Sequence, residues 1–70
     1  MIPLTYADPG QENIVKKIGG SPDVKRHLEN LGFTPGGSVT LVSILGGNVI
    51  VKVKESRIAL NEDMAKKVMV

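Results

Sequence analysis

The residues Ser21 to Gly37 constrain this chain more than any other stretch, because they carry its clearest helix start and stop signals. Ser21 is a good N-cap, since its hydroxyl can accept from an otherwise unpaired N–H of the first turn. Pro22 suits the first helical position, where its missing N–H would have had no partner. Asp23 places negative charge at the positive end of the helix dipole. Val24, Leu28 and Leu31 recur at i, i+4 and i+7 and so share one face. Gly32 stands where a helix ends in the left-handed conformation that glycine adopts cheaply. Pro35-Gly36-Gly37 then turns the chain. Nearly everything else reads as strand, so any fold must pack one short helix against β structure.

In chain order, Leu4 to Ala7 reads as a short edge segment ended by the turn Asp8-Pro9-Gly10. Gln11 to Ile18 reads as a strand. Ser38 to Leu45 is rich in β-branched residues and short for a helix, so it is a strand too. Its apolar positions change face between Leu41 and Val42, which predicts a bulge or strong bend. Gly46-Gly47-Asn48 predicts a hairpin turn. From Asn48 to Lys54 the alternation is clean: Val49, Val51 and Val53 face one way, and Ile50, Lys52 and Lys54 the other. Glu55-Ser56 turns the chain into Arg57-Ile58-Ala59-Leu60, with Ile58 and Leu60 facing inward. Asn61 caps a single helical turn, with Met64 and Ala65 packed down, and Val68 to Val70 forms a last strand. The expected fold is all-β, with one inserted helix and one helical turn, as a small β-barrel.

Seventy residues make one domain, residues 1–70, with little apolar area to spare for a deep pocket. Without cysteine there is no disulfide framework and no thiolate metal cage. The opening Met1-Ile2-Pro3-Leu4 is unlike a secretory signal, and no apolar run approaches the ~20 residues of a membrane-spanning helix. The net charge of +2 and the two aromatics, Tyr6 and Phe33, argue against an RNA-binding barrel, which needs a larger positive excess and stacking rings. No nucleophile, histidine base and orienting acid are placed together, so an enzyme is not expected. The glycine pairs 36–37 and 46–47 lack the helix and trailing Lys-Ser or Lys-Thr of a nucleotide loop and read as turns.

Two surfaces remain as candidate contact sites. One is the helix and its corner, with Lys25 and Arg26 exposed and Leu31 and Phe33 at the end, Phe33 serving either as a hydrophobic anchor or as a cap on the barrel. The other is the hairpin face of Ile50, Lys52, Lys54 and Arg57, whose mixed apolar and basic character suits an acidic protein patch or anionic headgroups better than nucleic acid. Asp23 and His27 stand i, i+4 and form the one metal-ligand pair the helix offers. Durable sites supply three or four ligands, so this pair is a weak one.

The string Leu28-x-x-Leu31-Gly32-Phe33-x-Pro35-Gly36, a hairpin, Arg57-Ile58-Ala59-Leu60 and Ala65-x-x-Val68-x-Val70 resembles the FeoA family. These are small accessory proteins of bacterial ferrous iron uptake with an SH3-like barrel. Asp8-Pro9-Gly10 with Ile14, Val15 and Ile18 is similar to the family's first hairpin, so the likeness covers almost the whole chain. Phe33 departs from the smaller aliphatic residue usual there, and Ala7 from a leucine. The resemblance implies a cytoplasmic protein, not inserted in the membrane, that contacts a GTP-binding membrane iron permease from its inner face. It implies no required cofactor and no nucleic acid. The alternative it leaves open is a module that binds or senses Fe²⁺ or another divalent transition metal. The C-terminal domain of metal-dependent repressors of the diphtheria-toxin-repressor type is the comparison.

Overall fold

Two sets of short antiparallel strands, crossed by one helix, make up the computed structural model, which describes residues 1–70. The strands are β1 (Glu12–Ile14), β2 (Lys17–Ile18), β3 (Ser38–Leu45), β4 (Asn48–Val53), β5 (Ser56–Asn61) and β6 (Val68–Met69). The helices are α1 (Pro22–Asn30) and α2 (Glu62–Ala65). One sheet has the order β1-β3-β4-β5, and the other pairs β2 with β6. The domain is therefore mostly strand, as expected, but its ladders run in two sheets and do not close into one continuous ring.

The main sheet is built by two tight hairpins. Gly46 and Gly47 both have positive φ, +54° and +85°, as the twist-matched two-residue turn between β3 and β4 requires. The register between these strands slips between Leu41 and Ser43, so the expected bulge is present. The slip keeps Leu41 opposite Val51 in the core and Ile44 opposite Val49, with Ile44 itself still exposed near the hairpin tip. Val49, Val51 and Val53 are buried beneath the sheet with Val39, Leu41 and Leu60.

Helix α1 forms for the reasons its sequence suggests. The Val24 N–H donates to Ser21 Oγ at 3.3 Å, and Pro22 occupies the first position. At the other end Gly32 has φ +108°. Its N–H donates to the Glu29 carbonyl, and the Phe33 N–H to the Leu28 carbonyl, each at 3.0 Å. That pair of bonds is a Schellman motif, which sets the residue after the glycine against the helix's last turn. Leu28 and Phe33 are accordingly both 0% exposed and meet in the core.

Two expectations are corrected. Leu4–Tyr6 is a 3-10 turn rather than an edge strand; Pro3 and Leu4 carbonyls accept from Tyr6 and Ala7, and Leu4 is fully buried. Gln11 to Ile18 is two strands in different sheets. Val15 breaks it: its N–H donates to the Gly37 carbonyl and its own carbonyl accepts from Gly36, both at 2.8 Å. Those bonds to the turn after α1 turn the chain away from β3, and the Lys16 N–H then donates to the Met69 carbonyl in β6. The chain ends meet next to this small sheet, where Ile2 and Val70 exchange two backbone bonds of 2.8 Å.

Candidate functional site

The outer face of the main sheet carries the densest of the expected contact residues. Paired residues on neighbouring strands share a face, so the register lays out its rows. Lys52 stands directly opposite Arg57, and Thr40 and then Glu12 continue the same row across β3 and β1. Lys52 and Arg57 are both exposed. Like charges directly opposite one another destabilise a ladder, and no carboxylate relieves them. The one ion pair of the structure joins Lys66 to Glu62 at 3.6 Å on α2. Glu12 lies two strand spacings from Lys52, about 10 Å. The next row holds Ser43, half-buried Ile50 and exposed Ala59.

Lys54 does not continue this row. It sits in the turn between β4 and β5 with φ +55°, the only non-glycine residue in the left-handed region. A Cβ placed on Gly32 would lie 3.8 Å from Lys54 Cδ and Cε, so the lysine stem runs beside the end of α1. The fold thus brings Lys54 to the Leu31-Gly32 corner, and Lys52 to Arg57. Leu31 there is half-buried. Lys25 and Arg26 are exposed on α1.

Phe33 is corrected. With no accessible surface it offers nothing to a partner and belongs to the core. The signal was in the sequence: an apolar residue directly after a helix-ending glycine is the one that the Schellman motif folds inward.

Asp23 and His27 are both exposed, one turn apart on α1. No group of three His, Cys, Asp or Glu residues that could hold a metal ion forms anywhere in the structure. Two exposed ligands do not fit a resident metal, which takes three or four. The surface has no pocket, and no helix is long and apolar enough to cross a membrane.

The sequence carries no local signal for the free edge of β5. Strand order exposes it, and strand order is not written in any local pattern.

These features define a small SH3-like β domain with a charged outer face and no cavity. The chain matches the FeoA domain over residues 2–70. It is 36% identical over 70 residues to a provisionally named Fe(2+) transport protein A of Methanocaldococcus jannaschii, covering all of this chain and 85% of that protein. The crystal structure of an iron uptake regulatory protein (FeoA) superposes with a TM-score of 0.86 at 30% identity, covering 96% of this chain and 89% of that one. Stenotrophomonas maltophilia FeoA, crystallised with zinc and described as an SH3 domain protein, gives a TM-score of 0.80 at 26% identity, covering 94% and 85%. The chain belongs to the FeoA family, the ferrous iron transport protein A family.

Proposed function

We propose that this protein is a cytoplasmic accessory protein of ferrous iron uptake that acts by contact with a GTP-binding membrane permease. Iron is the permease's cargo in this reading and not a resident of this domain. Family membership supplies the transport system. The observation that carries the contact reading is the Lys52–Arg57 pair, two cations held opposite each other with no acid to neutralise them. An arrangement that costs stability in the free protein is relieved when a partner brings a carboxylate to it. The Lys54 and Leu31 corner and the exposed Lys25 and Arg26 make the second candidate surface.

The test is an NMR titration of labelled protein with the permease's soluble cytosolic domain. Localised shifts over residues 50–57 or 25–32 support contact, and an unchanged spectrum at high partner concentration overturns it. The zinc-complexed relative makes metal binding the second reading, with Asp23 and His27 as the pair to follow. Fe²⁺ or Mn²⁺ would have to give a saturable, site-specific shift of the His27 ring signals for that reading to displace the first.

A further inference from the structure

Strand β5 ends the main sheet, and no strand pairs with it on the side that faces away from β4. Which of its backbone groups are free follows from the ladder. The Glu62 N–H donates to the Gly47 carbonyl at 3.1 Å, just beyond the paired Asn48 and Asn61. Bonded positions alternate along an antiparallel pair, so Leu60, Ile58 and Ser56 turn their N–H and C=O toward β4. Arg57 and Ala59 turn theirs outward. β5 has no strand partner besides β4, and neither a backbone group elsewhere nor a side chain bonds to Arg57 or Ala59.

Sheets protect such edges by keeping them short, bulged, covered or proline-bearing. The opposite edge, β1, is three residues long. β5 is six, contains no proline, and pairs with β4 without a register shift. Arg57 and Ala59 are exposed, and Ile58 between them is only half-buried. The charge of Arg57 is the one protective device present.

We propose that the free edge of β5 accepts an extended acidic segment of a partner protein as an added strand. The chemistry of that segment is set by the outer face. A residue paired with Arg57 would stand one ladder spacing from Arg57 and two from Lys52, closer to Arg57 than Glu12 is. A carboxylate there neutralises the like-charge pair. Two residues along, the position paired with Ala59 extends the row of Ile50 and takes an apolar side chain. The residue between them covers Ile58 from the inner side. A second copy of this chain is the poorer occupant, because two β5 strands side by side would place Lys52 and Arg57 of both copies on one continuous face. The proposal deepens the contact reading above and rests on it for the partner's identity, but not for the edge itself.

The experiment is amide hydrogen exchange by NMR. The probe is a capped peptide of β-branched residues with glutamate and valine two apart, set against the same peptide with lysine for glutamate. At about nine-tenths occupancy the Arg57 and Ala59 amides should slow about tenfold, while Ile58 and Leu60, already bonded, change little. Arg57→Glu should weaken the glutamate peptide at least about tenfold and strengthen the lysine peptide. It should leave the domain folded, since an acid opposite Lys52 removes a repulsion. Unchanged exchange at Arg57 and Ala59, or equal binding of the two peptides, overturns the proposal. So does protection that grows with protein concentration alone, which would assign the edge to a second copy. The permease domain separates the two readings. Shifts elsewhere with these amides unprotected overturn the edge and leave the contact reading standing. Peptide protection without any response to the domain does the reverse.

Discussion

Replacing Phe33 decides whether this side chain holds the fold or meets a partner. It is 0% exposed and lies against Leu28 through the Schellman motif. Truncating a buried phenylalanine to alanine costs about 3–5 kcal/mol through lost transfer energy and the cavity left behind. A 70-residue domain has roughly 4–10 kcal/mol in total at the usual stability per residue. Phe33→Ala therefore removes about three-tenths of the stability at the least and unfolds the domain at the worst. Phe33→Leu keeps most of the apolar volume and should cost about 1–1.5 kcal/mol. For a domain this small the urea slope is near the low end, about 1 kcal/mol per molar, so the leucine variant's midpoint should fall by about 1 M with its slope unchanged. Equilibrium urea unfolding followed by circular dichroism measures both. A leucine variant with the parent's midpoint would refute the argument and return Phe33 to the surface.

Four further substitutions test other elements. Thr5 Oγ1 is sequestered from solvent without a hydrogen-bond partner, so Thr5→Val should raise stability by about 1 kcal/mol, read as a Tm gain of about 4–8 °C by calorimetry. The Met64 N–H donates to Asn61 Oδ1 at 2.8 Å, whereas Val24 reaches Ser21 Oγ at 3.3 Å; Asn61→Ala should cost about 1 kcal/mol and Ser21→Ala about half that, by the same unfolding curves. A Cβ on Gly32 would meet Val53 Cγ2 at an ordinary 3.5 Å, so Gly32→Ala should destabilise by about 1–2 kcal/mol through its φ of +108° alone, and a loss near 4 kcal/mol would point to a clash instead.

What was legible in the sequence was local. Ser21, Pro22 and Gly32 each act within one turn of chain, and they place α1 where their chemistry puts it. The bulge after Leu41 showed as a break in a two-residue period, and the valines of β4 as an unbroken one. What stayed hidden depends on partners far along the chain. Val15 divides the Gln11 to Ile18 segment only because the Gly36-Gly37 turn folds back to bond it. Leu4 to Ala7 has a strand's composition, but its place beneath α2 favours a turn that buries Leu4 and Ala7. The opposition of Lys52 and Arg57 follows once the turn at Lys54 and Glu55 is fixed at two residues. The open flank of β5 needs the whole strand order.

The reciprocal bonds between Ile2 and Val70 make the backbone nearly a closed loop. A short glycine bridge from Val70 to Met1 would therefore span a gap that is already almost shut. Opening the ring between Gly46 and Gly47, both exposed, would give a circular permutant with every ladder of both sheets retained. Such a permutant turns the β3–β4 hairpin into the new termini and frees the old ones to act as an internal tether.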